Sequence, residues 1–448
     1  MRLGSSALGV VAVATLALGA CSRSDAPSLP SNSALGRVAR AVPAHRTGLA
    51  GQFQHVIVIV QENRTVDNLF NGFPGADTVT SGVRRGKTVQ LEQIPLEPAV
   101  DPDHTHDGFV LDYDNGKLDD FDHEFGKNRT AYAYVQQSDV QNYWTLASRF
   151  TLADETFQMN MGPSFAAHVN LVAAQGGYPM AFAGNPTTGS KGPPGCLGSD
   201  TVAYLDMTLP YPQKTTATGP ACMDMETIFD LLDQNGIGWR YYAPDYGAGL
   251  TLWSAPDYIT HIADGPDHAN LVSPETNVLS DIANGALQPV SYVIPEYCSS
   301  DHPHGKYSDE LAGPHWVAAV TNAIGASSHY WSNTLILVTW DDWGGWYDHK
   351  APSILNDDQL SFRVPLLVIS AYPSAPGVPD HTTRNQASVI TAIESNFGLG
   401  SLGQLDAQTD DLSNTFNFSQ PAVQYGAPLP AATPAPDCKA ERESADAG

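Results

Sequence analysis

The sequence predicts an α/β protein, a three-layer α/β/α sandwich around a mostly parallel central sheet. Two hydrophobic runs rich in β-branched residues, at 55–60 and 334–339, lack the alternation of polar and apolar residues that a half-exposed strand shows. Such runs are typical of strands buried on both faces of a parallel sheet. Other strand-like runs alternate along the chain with stretches of helical period, which indicates helices on both faces of the sheet.

The remaining elements are predicted in order from local patterns. An Ala- and Val-rich helix over residues 165–175 follows Pro163 and is closed by two glycines, and an amphipathic helix over 225–235 stops at Gly236. A last helix over 388–397 ends at Gly398. Further strands are predicted over residues 239–242, 290–294 and 364–370.

The charge of the chain limits its partners. The 448 residues carry a formal net charge of −26 at pH 7. Nucleic-acid binding needs a basic surface, so no nucleic-acid partner is expected. The charge does not define the substrate.

The N-terminus is predicted to be a targeting signal. Arg2 precedes an apolar stretch over residues 7–20 that is too short to span a bilayer. Leu-Gly-Ala-Cys at 18–21 resembles a bacterial lipobox, so residues 1–21 are expected to be a lipoprotein signal peptide that leaves Cys21 lipidated and in contact with a membrane. Ser22 in the second mature position favours an outer-membrane lipoprotein, periplasmic or on the cell surface. An ordinary secretory signal cut near Ala20 is the alternative.

Composition divides the rest of the chain. Residues 22–52 are rich in Ser, Ala and Pro and are predicted to be a flexible tether. The catalytic domain is expected over 53–420, with a Gly/Pro-rich loop insertion at about 178–224 near the site. Residues 421–448 form a Pro/Ala-rich tail.

Export makes disulfides plausible for the four cysteines other than Cys21. Cys196, Cys222, Cys298 and Cys438 allow two disulfides in three pairings. Cys196–Cys222 is the local option, and Cys298–Cys438 would then tie the tail to the core. A zinc site is the weaker alternative because no C-x-x-C pair is present.

Acidic and amide side chains follow the two most hydrophobic strands. Glu62 and Asn63 come directly after the first, and Asp341 and Asp342 come after the second. Ligands of parallel sheets bind at the carboxyl ends of the strands. If the two segments meet there, they form an oxygen-rich pocket suited to a metal cation. Each pair could instead simply begin a loop or a turn.

Ser164 is the candidate nucleophile. It follows Gly162 and Pro163 and lies in the first turn of a predicted helix, where free amides and the positive helix end favour an anionic phosphate. The alternative is that Ser164 only caps the helix.

Histidines cluster in polar contexts. His104 lies in the sequence Asp-His-Thr-His-Asp at 103–107, and His302 and His304 lie in Asp-His-Pro-His at 301–304. Imidazoles around a phosphate can serve as donors and as general acid. The same clusters could instead be zinc ligands in their own right.

Taken together, these segments resemble the bacterial phosphoesterase family of phospholipases C and acid phosphatases, in the alkaline-phosphatase-like superfamily. Gly162-Pro163-Ser164 and the run from Trp340 to His349 are among the matching motifs. The matching stretches are residues 55–67, 101–104, 162–164, 227–229, 239–242, 302–303, 340–349 and 363–366.

The resemblance implies an alkaline-phosphatase-like fold and a metal-dependent phosphoric-ester hydrolase. Glu62, Asn63, Asp341 and Asp342 would surround one divalent metal ion, which Ser164 would also bind. The resemblance leaves open whether this ion is Zn, Ca, Mg or Fe. Ser164 would form a covalent phospho-enzyme that water then hydrolyses.

The same resemblance assigns the histidines to the phosphate. His104 and His302, with His304 as a near alternative, would face it, and one of them would protonate the leaving alcohol.

Two departures from the family bear on the substrate. The family often has Asp-Glu where this chain has Asp341-Asp342, which bears on the identity of the metal. The phospholipases tend to have Thr as nucleophile and the acid phosphatases Ser. Ser164 therefore favours an exported broad-range acid phosphatase. The first alternative is a phospholipase C that cleaves phosphatidylcholine-type phosphodiesters. The second alternative is an inactive surface lipoprotein of the same fold.

Other hydrolase classes fit less well. A sulfatase would need x-Pro-x-Arg after the nucleophile, and Ser164 is followed by Phe-Ala-Ala-His. A Ser-His-Asp esterase would need a G-x-S-x-G elbow, which the sequence lacks.

Overall fold

A computed structural model gives the structure of the chain from residue 48 to residue 433, with gaps. It describes residues 48–123, 131–176, 180–182, 184–186, 195–209, 211–212, 215–244, 253–303, 312–352 and 360–433. His304, Cys21 and Cys438 lie outside the described residues, as do the predicted signal peptide and most of the predicted tether.

The strands of the described residues are named in chain order. They are β1 (His55–Gln61), β2 (Ser81–Arg84), β3 (Lys87–Gln90), β4 (Glu92–Ile94), β5 (Ala133–Val135), β6 (Thr151–Ala153), β7 (Thr156–Phe157), β8 (Met180–Phe182), β9 (Thr201–Asp206), β10 (Thr215–Pro220), β11 (Trp239–Tyr242), β12 (Leu271–Val272), β13 (Val290–Val293), β14 (Thr334–Trp340), β15 (Leu366–Ile369) and β16 (Arg384–Asn385).

The α-helices are named in the same way. They are α1 (Val66–Leu69), α2 (His106–Tyr113), α3 (Gln141–Arg149), α4 (Ser164–Ala173), α5 (Ile228–Gln234), α6 (Thr260–Ala263), α7 (Asn277–Asn284), α8 (Ala312–Gly325) and α9 (Ser388–Phe397).

Seven strands form the central sheet, in the order β12-β11-β13-β1-β14-β15-β6. The pairs from β12 through β14 are parallel, whereas β15 runs antiparallel to both of its neighbours. The two runs that the sequence marked as fully buried strands, β1 and β14, are adjacent at the centre. Every residue of β14 is buried, which explains its unbroken apolar sequence.

Alternate side chains of the central strands enter two separate cores. Val56 and Val58 of β1 pack in one core with α4, α5 and α9. Ile57 and Ile59 pack in the other with α3, α7 and α8. Because side chains alternate between the two faces of a strand, this division places helices on both faces of the sheet. The predicted three-layer α/β/α fold is confirmed.

The segment at 178–224, which the sequence analysis treats as a loop insertion, includes regular structure among its described residues. It contains an antiparallel sheet of β10, β9 and β8. The reason is visible in β9, where Thr201-Val-Ala-Tyr-Leu has the β-branched and aromatic residues that favour strands. The segment contacts the helix that carries Ser164, because the rings of Phe182 and Phe165 lie 4.5 Å apart.

The helix after Pro163 also ends earlier than predicted. It stops at Ala173, and Ala174 adopts the left-handed conformation with φ +54° instead of a glycine. Ala174 is fully buried and its carbonyl accepts a hydrogen bond from Leu405 N, at 3.3 Å. Tertiary packing therefore fixes this helix end.

Cysteines and the start of the tail tie peripheral segments together. Cys196 and Cys222 form a disulfide, the local option among the possible pairings. Cys298 is also disulfide-bonded, and its partner lies outside the described residues. Residues 421–433 have no regular secondary structure, yet Tyr425 is buried and Leu429 N donates to Asn322 on α8.

Within the described ranges, the structure has no helix with the length and hydrophobicity to cross a membrane.

Candidate active site

Parallel pairing of β1 with β14 brings the two acidic segments together. Gln61 is in register with Trp340, and Asp341 N donates to the Gln61 carbonyl at 2.9 Å. One residue further on, Arg64 N donates to the Asp342 carbonyl at 3.0 Å. The two strands end side by side, so the predicted meeting of these segments at the carboxyl edge of the sheet is confirmed.

The backbone at this edge is tightly folded. Asn63 adopts a left-handed conformation with φ +59°, which is uncommon for a residue other than Gly. Gly344 packs against it, and a Cβ on Gly344 would lie 2.3 Å from the Asn63 carbonyl oxygen. Gly344 also has φ +62°, so both the lack of space for a Cβ and the left-handed backbone conformation require glycine at this position. Asn63 N donates to Asp341 Oδ1 at 3.0 Å and thereby fixes that carboxylate.

Three carboxyl groups are buried together here. Glu62, Asp341 and Asp342 are each 0 % exposed. Burial, followed by the charge of Asp341, raises the pKa of Glu62 and of Asp342 well above the ordinary values. Glu62 Oε2 and Asp341 Oδ2 have no hydrogen-bond partner. Buried carboxylate oxygens without donors are expected where a cation neutralises them, so these residues fit a divalent metal.

The Asn63 amide supports the same interpretation. The terminal atom on one side of the amide lies 3.2 Å from Asp342 Oδ1 and 3.3 Å from Asp341 Oδ1. An amide nitrogen in that position donates to both carboxylates. An amide oxygen there needs a cation between itself and the carboxylates, because the lone pairs otherwise repel. The Asn63 amide can thus either donate to the two carboxylates or ligate a metal together with them.

Ser164 is the first residue of α4 and faces this cluster. Its Oγ lies 3.3 Å from Asp342 Oδ2 and 3.4 Å from Asn63 Oδ1. The N-cap position belongs to Pro163, and in the first turn Phe165 N donates to Asn185 Oδ1 at 3.1 Å, so Ser164 is not the capping side chain. The hydroxyl therefore points to the acidic centre, and the alternative of a helix cap does not describe it. Its place at a helix start suits an anionic ligand.

His104 and His302 lie on the opposite side of Asn63. Their Nε2 atoms are 3.3 Å and 3.1 Å from its amide. His104 Nδ1 lies 2.8 Å from the Pro102 carbonyl, and His302 Nδ1 lies 3.1 Å from the Pro303 carbonyl. Each carbonyl accepts from Nδ1–H, which turns Nε2 of both rings toward the site.

The histidines are more accessible than the carboxylates. Their side chains are 12 % and 11 % exposed, so among the described residues this is the side from which a substrate can approach. Burial lowers the pKa of His104, but the charges of Asp342 and Asp101 outweigh it and raise this pKa to about 9. The site predictions so far come together in space, except for His304, which lies outside the described residues.

Asp101 joins the two histidines. Its carboxylate oxygens lie 3.9 Å from His104 Nδ1 and 3.7 Å from His302 Nε2. One ligand atom from each of these three residues lies within 4.8 Å of the others, a spacing that could hold a metal. This spacing is compatible with the zinc alternative for the histidine clusters. The sequence offered a signal, since Asp101 begins the Asp-Pro-Asp-His motif, but its role was not predicted.

His168 is the most important residue that the sequence analysis did not assign. It is 1 % exposed, and its Nε2 lies 2.8 Å from Glu62 Oε1 and 3.9 Å from Asp341 Oδ2. Burial lowers its pKa to about 4. The available signal was its spacing, because residues four apart on a helix share a face and Ser164 is four residues earlier.

Two buried glutamines hold the loops in place. Gln386 Nε2 donates to the carbonyls of Trp340 and Asp341, at 2.6 and 3.0 Å. Gln158 accepts from Trp343 N and donates to the Gly162 carbonyl, at 3.3 and 3.0 Å. Gln158 thus connects the loop that carries Asp341 to the loop that precedes Ser164. Neither residue lies in a recognisable motif, so neither role could be predicted from the sequence.

A third acidic cluster, outside the site, is filled by an arginine. Asp67, Asp348 and His349 could hold a metal by their spacing alone. Arg363 occupies this cluster instead, with Nε and Nη2 each 3.0 Å from an oxygen of Asp348 and Nη2 3.5 Å from Asp67 Oδ2. Burial lowers the Arg363 pKa, but the carboxylates outweigh it and raise this pKa above its usual range. The guanidinium neutralises this cluster.

Aromatic rings adjoin the histidine side of the site. The Tyr297 and His302 ring centroids are 5.0 Å apart, and Trp253 stacks with Tyr297 at 6.0 Å. Trp253 also stacks with His168 at 6.1 Å. These rings form an apolar, electron-rich side next to a site that is otherwise polar.

A serine hydroxyl at a helix start, between buried carboxylates and two imidazoles, is an arrangement that phosphoryl transfer uses. The chain belongs to the Phosphoesterase family, whose model matches residues 53–400. The resemblance that the sequence motifs indicated is confirmed.

Curated relatives of the chain are phospholipases C. The chain is 25 % identical to the non-hemolytic phospholipase C of Burkholderia pseudomallei, over 86 % of this chain and 62 % of that protein. It is 23 % identical to the hemolytic phospholipase C of Pseudomonas aeruginosa, over 82 % and 55 %. It is 22 % identical to phospholipase C B of Mycobacterium tuberculosis, over 85 % and 80 %. The chain thus spans less than two thirds of the length of the first two relatives.

Solved structures with a similar outline include a protein in the alkaline phosphatase superfamily from Vibrio parahaemolyticus, with 12 % identity over 78 % of this chain and 67 % of that one and a TM-score of 0.36. A lipoteichoic acid synthase from Listeria monocytogenes has 10 % identity over 84 % and 79 %, with a TM-score of 0.36. The fold assignment rests on the sheet order and the two cores described above.

Proposed function

We propose that this protein is a phospholipase C-type phosphodiesterase that uses Ser164 as nucleophile and hydrolyses phosphodiesters carrying a cationic head group. The observation that carries the proposal is the position of Ser164 Oγ, 3.3 Å from Asp342 Oδ2 at the start of α4 and across Asn63 from the two imidazoles. The nucleophile, the anion-binding helix end and the proton donors are thereby in one place.

The relatives support the phospholipase reading over the acid phosphatase that Ser164 had favoured. The three relatives described above are named phospholipases C, including the one of which the chain covers 80 %. A Thr-to-Ser difference at the nucleophile preserves a hydroxyl, so it does not by itself select monoesters.

The aromatic side of the site supports a cationic head group. A quaternary ammonium binds to the faces of Trp and Tyr rings, and Tyr297, which is partly exposed, lies beside His302. Asp101 adds negative charge on the same side, 3.7 Å from His302 Nε2. A choline head group therefore finds both an aromatic and an acidic partner next to the place where the phosphate would bind.

In the first step of the proposed reaction, Ser164 Oγ attacks phosphorus and the P–O bond to the lipid alcohol breaks. The Ser164 proton passes to a neighbouring carboxylate, of which Asp342 is at hydrogen-bond distance. Nε2–H of His104 or His302 protonates the leaving alcoholate, which departs as diacylglycerol. Water then attacks the phosphoserine ester, and the head-group phosphate leaves with regeneration of the hydroxyl.

One divalent metal is part of the proposal. Glu62, Asn63, Asp341 and Asp342 would hold it, together with Ser164. When bound, it would supply positive charge that lowers the pKa of the serine hydroxyl and neutralises the phosphoryl oxygens. The chain itself contributes the fixed positions of these ligands, which the Asn63 and Gln386 hydrogen bonds secure.

The substrate is tested with purified protein that begins at residue 48 or earlier. Hydrolysis of p-nitrophenyl phosphorylcholine, phosphatidylcholine and p-nitrophenyl phosphate is compared across pH, before and after chelation. The proposal expects preference for the two choline diesters. A preference for the monoester with an acidic optimum would refute it and restore the acid phosphatase reading, and no hydrolysis of any of the three would leave the inactive lipoprotein.

The aromatic contribution has its own test. Tyr297→Leu keeps a large apolar side chain but removes the ring. We expect KM for the choline ester to rise and KM for p-nitrophenyl phosphate to stay constant, because only the former carries a cation. Equal changes for both substrates would argue against a head-group site at Tyr297.

We also propose that the chain is exported as an outer-membrane lipoprotein anchored through Cys21. The support is the lipobox-like sequence at residues 18–21 and the disulfide between Cys196 and Cys222. Mass spectrometry of the mature N-terminus distinguishes a lipid-modified Cys21 from an unmodified N-terminus near Ala20. In the second case the protein is a secretory protein without this anchor.

A further inference from the structure

We propose that His168 is a nitrogen ligand of the metal centre, so that the centre prefers a borderline transition-metal cation such as Zn²⁺ to Ca²⁺ or Mg²⁺. The inference rests on the proposed function, because it concerns the cation of that same site. It adds a ligand that the sequence motifs did not indicate, and it narrows the class of cation that the sequence left open.

The distances around His168 are those between ligands of a common cation. Its Nε2 lies 2.8 Å from Glu62 Oε1 and 3.9 Å from Asp341 Oδ2, and one ligand atom from each residue lies within 4.8 Å of the others. Nitrogen and oxygen ligands lie about 2.0–2.2 Å from Zn²⁺. Two ligands at such distances are themselves about 2.8 to 4.4 Å apart as the angle between them widens from about 90° to 180°.

The burial of these groups favours a positive charge shared among them. His168 is 1 % exposed, while Glu62 and Asp341 are 0 % exposed. The second oxygen of each carboxylate has no hydrogen-bond partner. A single imidazole N–H can satisfy only one of these oxygens, so a hydrogen bond from His168 to Glu62 leaves the others unsatisfied. A cation that all three residues share satisfies them together.

Helix α4 places His168 and Ser164 on the same side, facing the proposed metal site. The two residues are four apart in α4, which spans Ser164–Ala173, and they therefore lie on the same face of the helix. Trp253 stacks against the His168 ring at 6.1 Å and 24°, which limits its rotation. A ligand held by a helix and a stacked ring is preorganised for binding.

A nitrogen ligand changes which cation the centre prefers. Ca²⁺ and Mg²⁺ are hard cations that take oxygen ligands almost exclusively. Imidazole suits Zn²⁺, Fe²⁺ and other first-row transition metals. The nitrogen of His168 would join oxygens from Glu62, Asn63, Asp341, Asp342 and Ser164, and a donor set that includes an imidazole favours the second group.

The test uses metal binding and spectroscopy in addition to turnover. Chelated full-length protein is titrated with Co²⁺, Zn²⁺ and Ca²⁺, and pulsed electron paramagnetic resonance of the Cu²⁺- or Co²⁺-loaded protein reports directly bound imidazole nitrogen. His168→Gln retains a hydrogen-bond donor toward Glu62 but removes the nitrogen ligand. His55→Gln is the matched control, because His55 is a partly buried histidine at the opposite end of β1, about 20 Å away at about 3.3 Å per residue.

We expect the native protein to bind Zn²⁺ and Co²⁺ at least about 100-fold more tightly than Ca²⁺. His168→Gln should weaken Co²⁺ and Zn²⁺ about 10- to 100-fold, reduce the nitrogen signal and change Ca²⁺ affinity much less. His55→Gln should change none of these. An unchanged nitrogen signal and unchanged Co²⁺ affinity in His168→Gln would overturn the proposal and leave His168 as a positioning residue for Glu62.

Two further outcomes keep the result unambiguous. If His168→Gln does not fold, the native protein alone decides, because equal or tighter binding of Ca²⁺ than of Zn²⁺ also overturns the proposal. Hydrolysis of choline esters is scored separately. If choline esters are hydrolysed but the nitrogen signal does not depend on His168, this inference is refuted and the proposed function is retained. If the nitrogen signal depends on His168 but no choline ester is hydrolysed, the inference is retained and the proposed function is refuted.

Discussion

Replacing Ser164 with Ala should abolish turnover and leave the fold intact. The hydroxyl is 3.3 Å from Asp342 Oδ2 and 3.4 Å from Asn63 Oδ1, both longer than the roughly 2.8 Å typical of hydroxyl hydrogen bonds. Each such bond contributes at most about 1 kcal/mol to stability. Alanine is also the better helix former, by a few tenths of a kcal/mol. The free energy of unfolding should therefore change by less than about 1 kcal/mol.

The expected loss of activity is far larger. Removal of a nucleophile that forms a covalent intermediate costs a factor of about 10⁶ in kcat in other hydrolases. The assay is the steady-state hydrolysis of p-nitrophenyl phosphorylcholine, with thermal unfolding measured on the same samples. A denaturing quench of the native protein during turnover should show the mass of one phosphoryl group with its head group on the peptide that contains Ser164, and Ser164→Ala should show none.

A matched control separates chemistry from packing. Ser370 is 1 % exposed and its Oγ accepts a hydrogen bond from Tyr372 N at 3.0 Å. It follows β15, at the opposite end of the sheet from Asp341. Ser370→Ala should keep full turnover. If Ser164→Ala keeps turnover within tenfold of the native protein, Ser164 is not the nucleophile.

Three other predictions concern stability. Metal removal should lower the melting temperature by several degrees, because a cation at about 1,000 times its dissociation constant stabilises the folded state by about 4 kcal/mol. A Tm that chelation does not change would count against a metal among Glu62, Asp341 and Asp342. Arg363→Met should cost about 3–5 kcal/mol in urea unfolding, because it leaves Asp348 buried and unpaired. Arg85→Met, at the exposed pair with Asp120, should leave the urea unfolding curve nearly unchanged. Burial, and then the charge of Asp406, raise the pKa of Glu394 to about 9, so the free energy of unfolding of the native protein should fall as pH rises from about 4.5 to 9. Glu394→Gln should remove this dependence. The variant should therefore gain about 3 kcal/mol over the native protein between pH 4 and pH 7. An equal difference between the Glu394→Gln variant and the native protein at all pH values would contradict the last prediction.

The sign of the Glu394 effect follows from linkage. An acid whose folded pKa exceeds its unfolded value binds more protons in the folded state, so the folded state loses stability as pH rises between the two values. At pH 7 the unfolded carboxyl is ionised, and its protonation on folding costs about 1.4 kcal/mol for each of roughly 2.5 pH units. Glutamine can accept from Leu402 N as Oε1 of Glu394 does, at 3.1 Å, and carries no such cost.

The central sheet was predictable because its strands are buried on both faces. That condition favours long runs of apolar, β-branched residues such as those of β1 and β14. The strands within residues 178–224 were not predicted, because they are short and lie between Gly- and Pro-rich segments whose composition indicates a loop. The early end of α4 at Ala173 depends on contacts with Leu405, which no local window contains.

Some residues of the site lie in motifs that could be recognised in the sequence, whereas others join the site only through the tertiary structure. Glu62, Asn63, Asp341 and Asp342 follow buried strands, so their place at the sheet edge could be inferred without a structure. Gln158 and Gln386 fix the same loops, yet they lie far along the chain and follow no motif.

The sequence alone determined the α/β class, the strands that meet at the centre, the acidic pairs that follow them and the serine at the start of a helix. These features depend on residue type and local spacing, which a sequence states directly. The tertiary structure decided which oxygens are left without donors, that an arginine rather than a metal fills the cluster at Asp348, and that His168 reaches Glu62. Those outcomes depend on distances between residues remote in the chain, and such distances are set by the packing of the whole fold.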